Sequence, residues 1–459
     1  MDYNKTKHDK LKSANYKNYL SSGQIINIAS RMLFELNPKL VEHNIRTAYI
    51  AFSIFQNYKM PEDCTLQNLV VLSLFHTVGF YRPDFFVYSE SSETLDLFSD
   101  EDIIKDKYVF GSFYLQCMTH LKRDAKALEN FDKDYVPGES EKSYIVAYRE
   151  LVYFSARMSS FYEENNYFPD DILAVAPNKF NPKIVSVFEK LNKDGCILSQ
   201  LRTGNYKSYI SNIINALEFS DEANQKMQKV LVYFLDFKST STFKHAINTA
   251  CYALSLGVRA GLSEEELQVL YTTAILHDIG KISIPEKILE TPKKLTDEEF
   301  LIMKTHVQYS KEIIQDYVSS EVVEAVYRHH EKLNGKGYPQ GLSSKDLTPV
   351  QKIITVADIL SALLDSRSYK HGYSKEQTFK ILTEMTFEGE IDPWITEFVI
   401  TDFDEILQEL SLLQQDFKAD YNVVVSKIND YVFMKQFKSD DSEDFVDDIE
   451  ELEELELAE

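Results

Sequence analysis

Apolar residues recur at steps of three and four along most of the chain, and stretches that alternate apolar and polar positions are scarce. One clear example contains Phe300, Met303, Val307 and Ile314. This spacing places apolar side chains on one face of an α-helix, whereas a half-buried strand needs a period of two. The pattern therefore predicts an all-α fold.

Several predicted helices begin with a Ser or Thr followed three residues later by Glu or Gln, the capping-box pattern. The pairs are Ser263 with Glu266, Thr296 with Glu299, Thr348 with Gln351, and Ser374 with Gln377. The helix that follows Ser263 is expected to end at Gly280, because glycine readily adopts the left-handed conformation that terminates helices.

His277 and Asp278 fall in the last turn of that predicted helix, within the apolar stretch AILHDIG. The helix dipole disfavours an anion at this end, and a buried carboxylate is costly unless something pairs with it or coordinates it. We therefore expect a cation opposite Asp278, and a metal ion is the simplest candidate.

More histidines and a further aspartate supply candidate ligands for such an ion. They are His245, His306, His329, His330 and Asp358, each in a patterned helix or at a helix end. Imidazole and carboxylate without thiolate suit iron, manganese or zinc. The four cysteines are scattered without a CxxC pair, which argues against a cysteine zinc site and a disulfide framework.

Charge and hydropathy narrow the function classes. The chain has 459 residues and a net charge of −24, half of it from the twelve acidic residues of a tail at 439–459. A surface of this sign does not favour duplex nucleic acid. The chain has no apolar run long enough for a membrane span and no signal peptide, so a cytoplasmic location is expected.

Two longer motifs identify a family. The segments HDIGK at 277–281 and HHEKLNGKGYP at 329–339 stand in order with His245, His306 and Asp358. Over about 220–400, the chain resembles the HD-GYP branch of the HD metal-dependent phosphohydrolases. DSRSYK at 365–370 and GEIDPWITEF at 389–398 are similar to that family's arginine-bearing segment and closing helix.

The resemblance implies an α-helical phosphodiesterase that hydrolyses cyclic di-GMP to pGpG, and then to GMP, through a metal-activated water. It implies two divalent ions, iron or manganese, with zinc or nickel as alternatives. Asp278 would bridge them. One ion would take His245, His277 and Asp358, and the other His306, His329 and His330. Ser241 stands where three-metal members carry glutamate, which favours a two-metal centre.

Substrate contacts follow from the same resemblance and from the chemistry of the residues. Lys281 would neutralise a phosphate oxygen, and Tyr338 would stack on a base or bind phosphate. The turn beside the histidine pair includes Gly335, Gly337 and Pro339, and Arg367 matches the family's arginine. The residues expected to contact the substrate are therefore Lys281, Gly337, Tyr338, Pro339 and Arg367.

The amino-terminal half looks like a second, broken copy of the same domain. A shift of 202 residues places His43 on His245, and a one-residue slip places LFHTVGF on LHDIGK, with His76 on His277. Apolar or hydroxyl residues stand at the positions of the other ligands, namely Thr77, Ala127, Leu128 and Ala156, and no histidine lies near Val109. Phe80 stands at the position of Lys281. Two histidines are too few for a two-metal site.

The sequence thus predicts tandem HD-type helical bundles joined by a linker. The expected units are a degenerate regulatory or dimerising domain at 25–165, a linker with bridging helices at 166–219, a catalytic domain at 220–402, a helical extension at 403–438 and the acidic tail at 439–459.

Two other functions stay open from the sequence: hydrolysis of a related cyclic dinucleotide such as 3′3′-cyclic GMP-AMP, and a non-catalytic nucleotide sensor that controls a partner. The expected partners are a cyclic dinucleotide, a second copy of the chain, and a GGDEF-type protein bound through the loop that contains the sequence GYP at 337–339, the GYP loop. Duplex nucleic acid and membrane are not expected partners.

Overall fold

The computed structural model describes residues 19–81, 102–176, 178–365 and 372–440. Within these ranges the chain forms α-helices, short 3₁₀ helices and one isolated β-bridge between Asn334 and Ser343, with no strand. The predicted all-α fold is confirmed. None of the helices in these ranges combines the length and hydropathy that a membrane span requires. The acidic tail from residue 441 onward lies outside the described residues.

The amino-terminal half is a helical bundle centred on α2, which packs against both α3 and α6. Its helices are α1 (Ser22–Leu36), α2 (Pro38–Phe55), α3 (Leu66–Phe75), α4 (Asp102–Met118), α5 (Glu139–Lys142) and α6 (Tyr144–Asn165). Two 3₁₀ helices, Val78–Tyr81 and Asp124–Leu128, connect them. The α2 side chains of Ala48, Ile50 and Ala51 are fully buried in this core.

Four helices connect this bundle to the next: α7 (Ile172–Val175), α8 (Pro182–Lys193), α9 (Cys196–Thr203) and α10 (Asn205–Asn215). The start of the region predicted as a linker with bridging helices, 166–219, includes two buried aromatic residues. Phe168 packs on Phe188 and Phe180 on Phe154, with ring centroids 5.0 and 5.2 Å apart. These contacts pack this part of the chain against α6 and α8.

The carboxy-terminal half is a second helical bundle centred on α12, which packs against α11, α13 and α18. Its helices are α11 (Asp221–Asp236), α12 (Thr240–Arg259), α13 (Glu264–Leu276), α14 (Glu286–Leu289), α15 (Asp297–Lys304), α16 (His306–Ile314), α17 (Ser320–Arg328), α18 (Pro349–Leu364), α19 (Lys375–Phe387) and α20 (Pro393–Thr401). The 3₁₀ helices are Ile279–Ser283 and Ser344–Asp346.

The predicted helical extension forms one long helix, α21 (Phe403–Asp440), that contacts both halves. Near its start, the guanidinium of Arg259 on α12 pairs with Glu409 at 2.6 Å. Further along, Lys435 pairs with Asp106 of α4 at 2.9 Å. The helix therefore fastens the two bundles together along one side.

The four predicted capping boxes are all present and begin α13, α15, α18 and α19. The predicted end of α13 is wrong, because the helix ends at Leu276 and Gly280 lies within the following 3₁₀ helix. Gly280 is required there by space instead: a Cβ atom at this position would overlap the carbonyl oxygen of His306.

The run from Phe300 to Ile314, read as one helix, is two helices that break at Thr305. The break lets α16 start at His306 with a new direction. It also leaves Phe300 43% exposed, so this residue is not part of the core that the apolar spacing indicated.

Candidate metal centre

The structure brings all seven predicted ligands to one place between α12, α13, α16, α17 and α18. His245 lies on α12 and Asp358 on α18, while His277 and Asp278 follow the end of α13. The other members are His306, the first residue of α16, and His329 and His330, directly after α17. Six of the seven are buried, and the His330 side chain is 25% exposed at the open side.

Asp278 lies at the centre of the cluster. Its Oδ1 lies 3.4 Å from His306 Nε2 and 3.9 Å from His329 Nε2. Its Oδ2 lies 3.3 Å from His277 Nε2 and 3.6 Å from His245 Nε2. Each carboxylate oxygen of Asp278 therefore faces a different pair of imidazoles, the arrangement that a bridging ligand needs.

Three of the imidazoles are held in one tautomer by the main chain. The Nδ1 atoms of His277, His306 and His329 each lie 2.7 Å from the carbonyl oxygen three residues earlier. Since a carbonyl only accepts, Nδ1 of each ring carries the proton and Nε2 is left with a lone pair. Side-chain hydroxyls fix the same backbone, because Ser310 and Thr355 donate to the carbonyls of His277 and His329.

The Nε2 lone pairs of these imidazoles face one another and the Asp278 carboxylate, and no proton is available to form a hydrogen bond between them. His306 Nε2 and His329 Nε2 are 3.4 Å apart. Burial lowers the pKa of His306 to about 3 and that of His330 to about 4, so these rings stay neutral near pH 7. Among the described residues, His277 Nε2 and Asp278 Oδ1 are buried polar atoms with no hydrogen-bond partner.

Such an arrangement is unfavourable by itself, because buried polar atoms without partners each cost free energy, about 1–3 kcal/mol. A divalent cation bound by the lone pairs removes that cost, and its ligands would be neutral imidazoles and ionised carboxylates. The donor atoms fall into compact groups, within 4.8 Å of one another in each group. Two groups are His245, His277 and Asp358, and His306, His329 and His330. The residues present therefore fit metal ions.

The His245 side of the cluster carries its own hydrogen bonds. His245 Nε2 lies 2.8 Å from Asp358 Oδ1, and its Nδ1 lies 2.9 Å from Ser361 Oγ. Burial lowers the pKa of His245, but the bonds to Asp358 and Asp365 outweigh it and raise the pKa to about 9. Asp358 therefore attracts a cation at this position, either a proton on Nε2 or a metal ion that replaces it.

Lys281 is the ammonium group of the site. Its Nζ lies 2.5 Å from Asp278 Oδ2, and its side chain is 17% exposed. Burial alone would raise the pKa of Asp278, but Lys281 and the neighbouring imidazoles hold that pKa well below its usual range. Asp278 is thus ionised, as a metal ligand must be.

The GYP loop turns back over the histidine pair because of Glu331. Its carboxylate accepts the backbone N–H groups of Gln340, Gly341 and Leu342 at 2.6, 3.1 and 2.9 Å. A Cβ atom on Gly337 would overlap the backbone of Lys332. Glycine at 337 therefore allows the loop to approach its own backbone closely, and a contact of Gly337 with substrate stays a prediction.

Two adjoining cavities of about 310 and 250 Å³ open onto the cluster and share His330, Tyr338 and Asp358 as lining residues. Gly337 lines the larger cavity and Lys281 the smaller one. The ring of Tyr338 lies 4.7 Å from that of His330.

Of the other predicted substrate contacts, only Pro339 is among the described residues. Pro339 is exposed and lines neither of the two cavities. Arg367 lies outside the described residues. Two cavity residues that the sequence reading missed are Phe300 and Lys304; a single lysine before a histidine gives no recognisable signal.

Comparison with known proteins identifies this half of the chain. Residues 213–395 match the sequence profile of the HD domain family. This part of the chain is an HD domain. The match contains all seven clustered ligands, so the family predicted from the HDIGK and HHEKLNGKGYP motifs is confirmed for this half.

The curated proteins that are similar to this chain include several that are named as cyclic dinucleotide phosphodiesterases. The 3′3′-cGAMP-specific phosphodiesterase 1 of Vibrio cholerae is 33% identical over 175 residues, 38% of this chain and 41% of that protein. The cyclic di-GMP phosphodiesterase response regulator RpfG of Xanthomonas campestris is 37% identical over 126 residues, 27% of this chain and 33% of that protein. The chain spans less than half the length of these relatives.

A solved structure extends the likeness beyond the HD domain. The crystal structure of a V. cholerae cyclic GMP-AMP phosphodiesterase (V-cGAP3) matches 86% of this chain and 98% of its own, with a TM-score of 0.53 and 20% identity. At that identity the likeness shows a shared fold and nothing about substrate.

The amino-terminal half contains contacts that are similar to two of those around the cluster. His76 Nδ1 lies 2.8 Å from Ser73 O, as His277 does with Ala274, but His76 Nε2 meets His43 Nε2 at 3.2 Å. A Cβ atom on Gly79 would overlap the carbonyl oxygen of Lys107, just as one on Gly280 would overlap that of His306. Lys107, two residues before Val109, therefore faces Gly79 as His306 faces Gly280.

The two glycines provide a matched pair of variants. Gly280→Ala is expected to destabilise the fold by about 1–3 kcal/mol, since the new methyl group overlaps backbone at the start of α16. It should also displace His306 and lower metal content. Gly79→Ala should destabilise similarly without loss of metal. Thermal unfolding and elemental analysis of both variants check this; equal metal loss in both would contradict it.

Proposed function

We propose that the chain is a metal-dependent phosphodiesterase that hydrolyses cyclic di-GMP to pGpG and then to GMP. The observation that carries this proposal is the convergence of unprotonated Nε2 atoms on the ionised carboxylate of Asp278. The names of the curated relatives support the substrate class.

In this proposal the residues of the cluster would hold two divalent ions, and Asp278 would serve both. His245, His277 and Asp358 would hold one ion, and His306, His329 and His330 would hold the other; the donor atoms of each of these groups lie close together. Bound metal lowers the pKa of a coordinated water and offsets charge on the phosphodiester. Iron and manganese are the proposed metals, with zinc and nickel as alternatives that the same donor atoms accept.

The remaining chemistry comes from side chains around the cluster. Lys281 Nζ, beside Asp278 and lining the smaller cavity, would bind a non-bridging phosphate oxygen and neutralise its charge in the transition state. Tyr338 stands where the two cavities meet and would orient the nucleotide against His330. Burial of six of the seven ligands excludes water from the far side of the cluster.

A second candidate substrate is 3′3′-cyclic GMP-AMP. It is supported by three V. cholerae relatives that are named as phosphodiesterases specific for this nucleotide. Both candidates present the same phosphodiester to the metal cluster, and they differ only in one base.

The test measures turnover of cyclic di-GMP, 3′3′-cyclic GMP-AMP and cyclic di-AMP by the full chain, stripped of metal and then supplied with Fe²⁺ or Mn²⁺. We expect turnover of a guanine-containing nucleotide only in the metal-loaded protein. A chain that binds these nucleotides without hydrolysing any of them would be a sensor, and the enzymatic proposal would fail.

We further propose that residues 25–165 are a catalytically inactive HD-like domain with a regulatory or dimerising role. Only two of the seven ligand positions keep histidine, and His43 and His76 contact each other directly. A cavity of about 440 Å³ lies between the halves, lined by Leu74 of α3 and by Tyr309 and Ile313 of α16. Because α16 begins at His306, a change in the amino-terminal half has a short route to the cluster.

The remaining partner predictions concern surfaces and location. A homodimer, a GGDEF-type partner at the GYP loop, and a cytoplasmic location stay predictions from the sequence. The loop is available for such a contact in the isolated chain, since Lys336, Pro339 and Gln340 are exposed.

A further inference from the structure

An aromatic pair with a lysine between the rings stands at the mouth of the larger cavity. Phe300 on α15 and Tyr338 of the GYP loop have ring centroids 6.4 Å apart at an interplanar angle of 83°. Lys304 Nζ lies 4.6 Å from the centroid of Phe300 and 5.2 Å from that of Tyr338. The three residues line the same cavity as His329, His330 and Asp358.

Lys304 differs from Lys332, another lysine of the same cavity, in the groups that contact its ammonium. Lys332 in the same cavity pairs with Glu390 at 2.7 Å. Across the described ranges, no carboxylate lies within ion-pair distance of Lys304 Nζ, and only the two rings contact its charge. A cation–π contact is weaker than a charge-assisted hydrogen bond, so an acceptor on a ligand would take this ammonium group from the rings.

The position of Lys304 relative to the metal cluster is fixed by the chain. It is the last residue of α15, and Met303, its neighbour, accepts the Nδ1 proton of His306 at 2.7 Å. Tyr338 is fixed from the other side, since its N–H donates to the carbonyl of His330 at 3.2 Å. A ligand group between Phe300 and Tyr338 thus lies beside the cluster, within reach of a nucleotide whose phosphate binds there.

We infer that Phe300, Lys304 and Tyr338 form a base subsite that selects guanine over adenine. Aromatic faces bind any base by stacking, so they supply affinity without choice. Lys304 supplies the choice, because guanine presents two acceptors, O6 and N7, where adenine presents N7 beside an amino donor. This inference rests on the proposed function for its substrate class, and it adds the residues that would decide between guanine and adenine.

The test compares guanosine 5′-monophosphate with adenosine 5′-monophosphate, which share sugar and phosphate and are not phosphodiesters. Calorimetry on the metal-loaded full chain should give a dissociation constant about tenfold lower for the guanine nucleotide. Lys304→Met should bring the two constants to within about twofold, by loss of guanine affinity. Lys304→Arg, which keeps donors at this position, should restore the preference.

Two further variants separate base recognition from other roles. Phe300→Ala should weaken both nucleotides by the same factor, since stacking does not distinguish them. Lys336→Met, a lysine of the same cavity without the aromatic pair, should leave the ratio of the two constants unchanged. An unchanged ratio in Lys304→Met, or an equal loss for both nucleotides that marks a phosphate contact, would overturn the inference.

A base-free substrate keeps this result distinct from the proposed function. Hydrolysis of bis(p-nitrophenyl) phosphate by the metal-loaded wild type reports on the proposed phosphodiesterase alone, because this diester carries no base. Absence of that hydrolysis in the metal-loaded wild type would count against the proposed phosphodiesterase. The ratio of the dissociation constants for the guanine and adenine nucleotides would still decide the role of Lys304.

Discussion

Replacing Asp278 with asparagine is expected to remove bound metal and to lower cyclic dinucleotide turnover by about 10³-fold or more. Asparagine keeps the shape of the side chain but loses the charge that faces four imidazoles and Lys281. Its amide group would bridge two cations only weakly, and the partly buried Lys281 ammonium loses its partner. Elemental analysis and turnover of the purified variant measure both effects.

Asp124→Asn is the matched control for this prediction. Asp124 is a buried carboxylate of the amino-terminal half that accepts a 2.7 Å hydrogen bond from Asn68, and burial raises its pKa. This control should keep the metal content and turnover of the wild type. An Asp278→Asn protein that retained its full metal content would show that Asp278 is not a ligand.

Lys281→Met is expected to lower kcat/KM by about 10²-fold while the metal content stays at the wild-type level. The ammonium group is not a ligand, so its removal leaves the donor atoms in place and takes a positive charge away from the ions. The loss should therefore fall on the transition state, where charge develops on the phosphate. Parallel measurements of kcat, KM and metal content separate these effects.

Lys287→Met serves as the control for Lys281, because Lys287 is an exposed lysine on the nearby helix α14. Its activity should match the wild type. If Lys281→Met instead lost metal in proportion to activity, the role of Lys281 would be to hold Asp278 in place, and the proposed contact with phosphate would be wrong.

The helical fold and the ligand set could be predicted from local sequence for physical reasons. Capping residues act within four positions, so pairs such as Thr348 with Gln351 indicate a helix start without knowledge of the rest of the fold. Charged residues in apolar helices are costly, so Asp278 and Asp358 stood out before any geometry was known. The distances from these aspartates to the histidines could not be predicted in this way, because they depend on how distant helices pack together.

The predictions that were wrong concern features that depend on packing between helices. The apolar spacing of Phe300 and Val307 continues across Thr305, yet α15 and α16 are separate helices, and the second begins at His306, whose Nε2 lies 3.4 Å from Asp278 Oδ1. Gly280 resembled a helix terminator, but its role comes from a carbonyl group on another helix. Periodicity and residue type carry no information on such long-range contacts.

Self-comparison of the sequence found the two histidines of the amino-terminal half and put the counterpart of His306 near Val109, within two residues of Lys107. The separation from His76 to Lys107 differs from that between His277 and His306, so one constant shift cannot align every position. The shared overlap at Gly79 and Gly280 sets the local alignment and pairs Lys107 with His306. A duplicated, inactive HD domain at 25–165 stays a proposal that rests on these contacts.

The metal content of the full chain tests the central claim most directly. Protein purified without oxygen and loaded with Fe²⁺ or Mn²⁺ should hold two ions per chain by elemental analysis. His245→Ala and His330→Ala, one from each ligand group, should each lose about one ion, and Asp278→Asn should lose both. A wild-type chain that binds no metal, or variants that bind as much as the wild type, would contradict the account.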